Sequence, residues 1–429
     1  MLINPANRLY ITLREKIFAA LDADAVNSLT IEQLREQLKT AIEVMVDRER
    51  LQAPPLLRAE FVTRLVDEIK GLGPLQPLID DNAVSDIMVN GPNCVYIERA
   101  GKLTRTDIAF INEEQLLGIA KRIAAKVGRR VDESQPMCDA RLPDGSRVNI
   151  TIPPITIDGT SISIRKFSRD NIGLDQLVGF GAMSPPMATL LKIASTCRLN
   201  ILISGGTGSG KTTLLNAMSQ HISPSERIIT IEDAAELRLQ QPHVVRMETR
   251  IASIENTGAI TQRELVINSL RMRPDRIIIG ECRGQEAFEM LQAMNTGHDG
   301  SMTTLHANTP RDAIGRLESM LMMAAPNLPL DAIRRNIANA VDIIVQVSRL
   351  HDGSRKVMAI SEMMGIEGKN VVLEEIFHFE PSYDQRRPDG RITGNFVTTG
   401  LISRSRIKQK ARFFDMEALL EETFTGPYQ

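Results

Sequence analysis

Residues 205–212 read Gly-Gly-Thr-Gly-Ser-Gly-Lys-Thr, which matches the pattern G-x-x-x-x-G-K-[ST] at every fixed position. An apolar run at 200–204, Asn-Ile-Leu-Ile-Ser, precedes it, and apolar residues at helical spacing follow at 214–218. The order strand, glycine loop, helix predicts a phosphate-binding loop in an α/β fold. A glycine-rich turn that matches the pattern by chance is the alternative.

Glycines in such a loop let successive backbone N–H groups point inward, so that a phosphate chain can bind against a helix N-terminus. We expect Lys211 to reach the β- and γ-phosphates of ATP and the Thr212 hydroxyl to hold Mg²⁺. The predicted cofactors are therefore ATP and Mg²⁺. The residues predicted to bind the nucleotide here are Gly206, Thr207, Gly208, Ser209, Gly210, Lys211, Thr212 and Thr213.

Composition and net charge limit which binding partners and which cellular compartment we expect. The 429 residues include 51 basic and 53 acidic side chains, a net charge of −2, which argues against nucleic acid as the main partner. The four cysteines form no C-x-x-C pair, so we expect neither a zinc site nor a disulfide framework. The N-terminus lacks a signal-peptide pattern, and no apolar stretch approaches the ~18 residues of a membrane helix. We expect a soluble, cytosolic chain.

Changes in charge, hydrophobic periodicity and turn residues divide the chain into five parts. Residues 1–70 are highly charged with helical periodicity and predict a helical bundle, whose simplest role is packing or oligomerisation. Residues 71–167 alternate turns and short strands, which predicts an α+β domain. A glycine-containing linker is expected at 168–181. Strands alternate with helices over 182–349, which is typical of a parallel sheet covered on both faces, and 350–429 form a C-terminal extension.

Charged side chains follow two of the predicted parallel strands. Strand 227–231 ends in Glu232 and Asp233, and strand 276–279 ends in Gly-Glu281 with Arg283 close behind. The carboxyl edge of an open α/β sheet is where ligands bind. We expect Glu281 to orient the attacking water as a base, Glu232 to act beside the metal, and Arg283 to contact the nucleotide; solvated loop acids are the alternative. The predicted Mg²⁺ ligands, through water, are Thr212, Asp233 and Glu281.

Two histidines bracket the predicted strand 302–305. We expect His306 to sense the γ-phosphate and take part in catalysis, and His298 to contact the nucleotide. A neutral imidazole suits such roles, but it also suits an ordinary buried, hydrogen-bonded histidine.

At this point the residues resemble a known family. Thr230-Ile-Glu-Asp233, Leu270–Gly284 with Gly280-Glu281-Cys-Arg283, and Asn295–Asn308 with both histidines strongly resemble the secretion ATPase superfamily. Its Walker A motif, Asp box, Walker B motif with Glu in place of Asp, and His box occur here in order. Residues 131–149 and 163–167 look most like the Tad/Flp pilus assembly ATPases of the CpaF/TadA type. The tetracysteine zinc module of the type II secretion and type IVa pilus extension motors is absent.

The resemblance implies a RecA-like P-loop NTPase domain with a parallel sheet, preceded by a helical bundle and an α+β, PAS-like N-terminal domain. It implies a homohexamer that uses ATP hydrolysis to move rigid domains and drive inner-membrane platform proteins, which would hold the chain at the cytoplasmic face of the inner membrane. It also implies that Arg141 and Arg165 act in catalysis and that Arg147 binds nucleotide phosphate, within or between subunits. Exposed, salt-bridged arginines are the alternative.

Three other functions stay open at this point. The first is a type IV secretion traffic ATPase that exports protein or DNA. The second is a RecA-like DNA motor, against which the near-neutral charge and the 4% aromatic content weigh. The third is a nucleotide-gated scaffold with negligible turnover.

The C-terminal extension carries alternating cations from Arg404 to Arg412. An extended segment would place them on one side, which suits an acidic lipid or an acidic platform loop. A solvated basic face is the interpretation that we favour.

Overall fold

A computed structural model describes residues 5–21, 28–99, 101–142, 144–167, 172–250, 257–386, 390, 392–401 and 404–425. The chain divides into two compact units, Met1–Ser168 and Arg169–Gln429. No helix in the described ranges is both long and apolar enough to cross a membrane.

The first unit begins with three helices, α1 (Pro5–Ala20), α2 (Ile31–Arg48) and α3 (Pro55–Lys70). A capping box starts α2, because the side chains of Thr30 and Gln33 each accept a hydrogen bond from the other's backbone N–H. Apolar residues three or four positions apart on α2 and α3 are buried against α1. These helices therefore share one small core.

A six-stranded antiparallel sheet follows in the same unit. Its strand order is β3-β2-β1-β6-β5-β4, and the buried residues of these strands pack against a helix, α5, in a single core. The elements are a 3₁₀ turn (Gly73–Leu75), α4 (Gln76–Asp80), β1 (Val84–Asn90), β2 (Val95–Arg99), β3 (Lys102–Arg105), α5 (Glu113–Lys126), β4 (Met137–Arg141), β5 (Arg147–Thr151) and β6 (Ser161–Arg165).

The second unit is built on one nine-stranded sheet with the order β15-β14-β13-β12-β7-β11-β10-β8-β9. The six strands from β12 to β9 are parallel, and β13 to β15 continue the sheet antiparallel. The elements are α6 (Leu174–Gly179), α7 (Pro185–Thr196), β7 (Ile201–Gly205), α8 (Lys211–Ser219), β8 (Ile228–Glu232), β9 (Val244–Glu248), α9 (Gln262–Ser269), β10 (Arg276–Cys282), α10 (Glu286–Asn295), β11 (Met302–Leu305), α11 (Pro310–Ala324), α12 (Leu330–Ala340), β12 (Ile343–Arg349), β13 (Arg355–Glu367), β14 (Asn370–Arg386), β15 (Ile392–Thr398), α13 (Arg406–Phe413) and α14 (Glu417–Thr425).

Helices cover both faces of this sheet. Ile201 and Ile203 of β7 pack into a core with α7, α8 and the C-terminal helices, whereas Leu202 points into a second core with α10, α11 and α12. A strand buried on both faces reads as a continuous apolar run, which is the pattern at 201–203. This arrangement is the RecA-like α/β fold.

A buried ion pair stabilises the amino edge of the sheet. The guanidinium of Arg276, at the start of β10, is fully buried and donates to both carboxylate oxygens of Glu226 at 2.6 and 2.8 Å. It also donates to the carbonyl oxygens of Ser195 and Gly300. The end of α7 and the segment before β11 are thereby tied to β10.

Two sequence predictions need correction. Part of the expected linker, Leu174–Gly179, is helix α6, and its Leu174 is buried in the core of the second unit; residues 168–171 lie outside the described residues. The basic residues near the C-terminus are not extended, because α13 spans Arg406–Phe413.

Three of the cations of α13, Arg406, Lys410 and Arg412, form ion pairs with nearby carboxylates. The ammonium of Lys410 lies 3.1 Å from a carboxylate oxygen of Asp342 and donates to the carbonyl oxygen of Arg198, and Arg412 is paired with Glu417. The extended strip that suits an acidic lipid or platform loop is therefore wrong. Ion pairs with Asp342 and Glu417 account for the charges of Arg406, Lys410 and Arg412.

Candidate active site

The glycine loop joins the end of β7 to the start of α8, as the motif predicts. Gly208 and Gly210 have φ angles of +69° and +96°, in the left-handed region where a side chain is strained and glycine is not. The Ser209 hydroxyl donates to the carbonyl oxygen of Gly206 at 2.8 Å. These contacts close the loop around the N-terminus of α8.

Lys211 is folded over its own loop. Its ammonium donates to the carbonyl oxygens of Gly205 and Gly206 at 3.0 and 2.9 Å, and the residue is 9% exposed. A phosphate oxygen carries more negative charge than a carbonyl oxygen and makes a stronger, charge-assisted hydrogen bond. The cradle and its lysine therefore fit a polyphosphate.

Glu232, the last residue of β8, is 3% exposed. One carboxylate oxygen accepts the backbone N–H groups of Glu236 and Leu237, each at 2.8 Å, while the other is buried without a partner. Burial raises the pKa of this carboxyl to about 7, although the two backbone hydrogen bonds act in the opposite direction. Arg238, which follows Leu237, donates its backbone N–H to the Asn216 side chain on α8. Hydrogen bonds thus connect the turn that Glu232 holds to the loop's own helix.

Glu281, Arg283 and Asp233 form an ion-pair cluster at the carboxyl edge. The Arg283 guanidinium donates to one Glu281 carboxylate oxygen at 2.9 Å from Nε and 2.5 Å from a terminal nitrogen. Its other terminal nitrogen lies 3.7 Å from Asp233. The Glu281 carboxylate raises the pKa of Arg283 above its usual value. The carboxylate of the predicted base, Glu281, is therefore paired with the Arg283 guanidinium in this structure.

The donor set partly fits Mg²⁺. The unpartnered, buried oxygen of Glu232 is an acceptor without a donor, and oxygen ligands are what Mg²⁺ prefers. Within the described ranges no group of three or more His, Cys, Asp or Glu residues could hold a metal ion alone. Mg²⁺ characteristically keeps several waters and binds through one or two protein groups plus substrate phosphates, so Thr212, Asp233 and Glu281 stay its predicted partners.

The two histidines lie at opposite edges of the sheet. His306 directly follows β11 at the carboxyl edge and lines an open cavity of about 500 Å³ with Arg283 and Asn308. His298 precedes β11, and a strand of four residues spans about 13 Å. Its ring nitrogen Nδ1 lies 3.3 Å from the carbonyl oxygen of Ala293.

The neighbours of His298 confirm its position at the amino edge. The Asn200 side chain, just before β7, accepts the N–H groups of Gly300 and Ser301, whereas the glycine loop follows the other end of β7. Within the second unit, His298 is therefore not brought to the glycine loop. Topology is the reason, since a residue that precedes a parallel strand lies on the edge away from the ligand.

The arginines of the first unit form a row across three strands. Arg141 is opposite Arg147 on β4 and β5, and Arg147 is opposite Arg165 on β5 and β6. Directly opposed residues point to the same face of a sheet, and like charges there are unfavourable. Arg141 donates to the Gly145 carbonyl oxygen at 3.2 Å, and Arg147 lies 3.4 Å from Asp139.

Two further arginines at the glycine loop were not predicted. Arg355 Nε donates to the Gly208 carbonyl oxygen at 2.9 Å, and the Arg349 side chain lies beside the same glycine. They flank the turn between β12 and β13. The sequence contains a strand near 343–347, but only the pairing of β12 with β7 places its end at the loop.

The phosphate loop and its lysine lie at the carboxyl edge of a RecA-like sheet, and Glu232 and Glu281 lie at the same edge. These features define the chain as a P-loop nucleoside triphosphatase. The family model described as "Type II/IV secretion system protein" matches residues 68–381. The chain belongs to this family and is an ATP hydrolase.

The relatives agree with this assignment. The type IV secretion system protein VirB11 of Bartonella quintana is 33% identical over 330 residues, which cover 67% of this chain and 91% of the relative. The conjugal transfer protein TrbB of Rhizobium radiobacter is 34% identical over 296 residues, 68% of this chain and 86% of the relative. Among solved structures, the VirB11 ATPase of Brucella suis in complex with sulphate is 31% identical, covers 68% of this chain and 96% of that one, and has a TM-score of 0.37.

Proposed function

We propose that this chain is the homohexameric ATPase motor that drives assembly of a Tad/Flp-type pilus through inner-membrane platform proteins. The observation that carries the proposal is the meeting of the lysine-bearing glycine loop with Glu232 and Glu281 at one edge of a single sheet. The segments that resemble the Tad/Flp type, 131–149 and 163–167, contain Arg141, Arg147 and Arg165 themselves, which β4, β5 and β6 align. In this proposal the chain reaches the inner membrane through its partners.

Hydrolysis needs a positioned water and compensation of negative charge on the phosphates. The loop N–H groups and Lys211 bind the phosphate chain, and Thr212, Asp233 and Glu281 would hold Mg²⁺ through water. Mg²⁺, when bound, neutralises charge on the phosphate oxygens. Glu281 orients the attacking water, which requires that its ion pair with Arg283 first loosen. His306 lies at the same edge and senses whether the γ-phosphate is present.

The arginine row completes the site when ATP favours a closed arrangement of the two units. A planar guanidinium stays charged and binds phosphate oxygens with two parallel hydrogen bonds. Because ATP contacts both units only in the closed arrangement, it favours that arrangement by the difference in contacts. Rigid-body motion of the first unit relative to the second is then the step that does work on the platform.

A type IV secretion traffic ATPase is the second candidate. The names of the relatives favour it, since VirB11 and TrbB are called secretion and conjugal transfer proteins and the matches span 91% and 86% of their lengths. This function would use the same site with a different membrane partner.

One experiment separates the two candidates. In the organism that encodes the chain, Lys211→Ala is introduced at the native locus, with Lys369→Ala as the exposed control. Loss of surface pili by electron microscopy, with conjugation and protein export unchanged, supports the pilus motor. Intact pili together with lost conjugation or export contradict it and support the traffic ATPase. In vitro, ATP hydrolysis stimulated by DNA would instead support a DNA motor, and tight ATP binding without phosphate release a scaffold.

A further inference from the structure

The turn between β12 and β13 lies against the phosphate loop. Strand β12 pairs in parallel with β7, and Val347 lies opposite Gly205, where an added side chain would collide with the Val347 carbonyl oxygen. The turn itself is closed by the Leu350 N–H, which donates to the Ser354 carbonyl oxygen at 2.8 Å. The residues on either side of this turn therefore face the loop.

Two arginine side chains cover the two left-handed glycines of the loop. Arg349 has a guanidinium nitrogen 3.5 Å from the place where a Cβ on Gly208 would lie. Arg355 Nε donates to the Gly208 carbonyl oxygen at 2.9 Å, and Arg355 Cδ lies 3.3 Å from where a Cβ on Gly210 would lie. Glycine at both positions thus leaves room for arginine as well as for the backbone turn.

The C-terminal strands hold this turn in place. One carboxylate oxygen of Asp352 accepts the N–H and the hydroxyl of Ser354 at 2.9 and 2.7 Å. The other accepts the N–H of Ile392, the first residue of β15, at 2.6 Å. The arginines are therefore placed at the loop before any ligand binds, which lowers the entropic cost of using them for binding.

We propose that Arg349 and Arg355 are further nucleotide-binding residues, which contact the phosphate chain of a nucleoside di- or triphosphate from the side of the C-terminal extension. The proposal rests on the proposed function of this site as an ATPase. Together with Lys211 they place three cations around one short loop, and a polyphosphate carries the opposite charge. Both arginine residues are exposed, so their guanidinium groups are accessible to a ligand.

A purely structural brace on the loop would behave differently. Arg355→Gln keeps an N–H donor for the Gly208 carbonyl oxygen but removes the charge, and Arg349→Gln is its counterpart. If the arginines only stabilise the loop, the neutral replacement should leave nucleotide affinity unchanged. If they contact phosphate, affinity should fall, because charge-assisted hydrogen bonds are about twice as strong as neutral ones. His351→Ala is the matched control, since His351 is exposed in the same turn.

The test measures the affinity of the full-length protein for fluorescently labelled ADP with Mg²⁺, at low and high salt, and the melting temperature without nucleotide. Each glutamine variant should weaken ADP binding by about tenfold, the size expected for one hydrogen bond to a charged group, and should flatten the salt dependence. His351→Ala should match the parent, and the nucleotide-free melting temperatures should agree.

Parent-like ADP affinity in both glutamine variants would overturn the proposal, as would an equal loss in His351→Ala. Failure of the proposed function has a different signature, because the parent itself would then fail to bind ADP or to hydrolyse ATP. The parent's own binding and turnover therefore separate the two.

Discussion

Arg147 and Arg165 lie directly opposite each other on β5 and β6, so two guanidinium groups share one face of the sheet. Asp86 on β1 is in turn opposite Arg165, and Asp139 lies 3.4 Å from Arg147. Two carboxylates therefore lie near a row of three arginines. An anion bound to this face would be stabilised by the remaining positive charge.

Replacing Arg141 or Arg165 with Ala should lower ATP turnover by about 10²-fold or more if these groups stabilise the transition state, by analogy with arginine fingers worth about 10³–10⁵. Arg→Lys should rescue poorly, because lysine keeps the charge but not the planar fork. Steady-state kinetics check this, with Arg105→Ala on the same sheet as the control. A raised KM with unchanged kcat would instead mean that the arginines only bind ground-state nucleotide.

Mixing tests whether these arginines act between subunits. An Arg165→Ala protein combined with a Lys211→Ala protein forms rings in which some interfaces pair an intact loop with an intact arginine. Activity above the sum of the two parents should appear, at mixing ratios checked by native mass spectrometry. No recovery in confirmed mixed rings would contradict action in trans, and a monomer by light scattering with an ATP analogue would contradict the ring.

Lys211→Ala should nearly abolish ATP hydrolysis and weaken nucleotide binding, because the point charge on the β- and γ-phosphates is lost. Phosphate release and nucleotide titration are the measurements. Lys369→Ala, an exposed lysine in the same unit, should behave like the parent. Turnover within about twofold of the parent would contradict the role of this loop.

Glu281→Gln should bind ATP but release phosphate slower by orders of magnitude, since the carboxylate that orients water is lost while the glycine cradle stays intact. Binding and single-turnover assays check the two halves separately. Normal hydrolysis by Glu281→Gln together with an inactive Glu232→Gln would mean that the two glutamates have exchanged roles.

The stability of the magnesium- and nucleotide-free protein should depend on Glu232. Its pKa is about 7 when folded against 4.5 as the ordinary value, so between these pH values the folded chain holds a proton that the unfolded chain releases. The proton's contribution to stability is present below about pH 4.5, falls as pH rises, and is lost above about pH 7.

Glu232→Gln cannot ionise, so it should become more stable relative to the parent as pH rises from about 5 to about 8, by on the order of a few kcal/mol. Thermal melting in chelator at several pH values measures the difference. A difference between the two proteins that is the same at all pH values would contradict the raised pKa.

The sequence predicted well those parts of the fold whose signal is local. The strand–loop–helix order at 200–218 and the strand at Met302–Leu305 are where the pattern placed them. Strand β9, Val244–Glu248, was not predicted, because it is a half-exposed edge strand with a charge at its centre. The apolar runs at 370–373 and 376–379 each indicate a short strand in the sequence, but both belong to one strand, β14, because periodicity alone does not show where strand pairing ends.

The site shows the same limit. Glu232 and Glu281 could be placed at the carboxyl edge because each follows a buried strand. The same rule places His298 at the amino edge, because it precedes the predicted strand 302–305, so its expected contact with the nucleotide does not follow from this topology. Arg355 gave no signal, because its position depends on the antiparallel hairpin of β12 and β13. This hairpin begins at Ile343, far along the chain from the end of the motif's own helix at Ser219, and only the pairing of β12 with β7 brings it to the loop.

The buried pair of Arg276 and Glu226 gives the two edges of the large sheet unequal mechanical strength. Separating the pair would leave a charge in the interior, at a cost of about 3–5 kcal/mol, so shear between α7, β10 and the segment before β11 is resisted. The opposite edge holds exposed loops and a half-exposed ion pair. Structural change on ligand exchange is therefore expected at the carboxyl edge, where these groups are accessible, while the amino edge keeps its geometry.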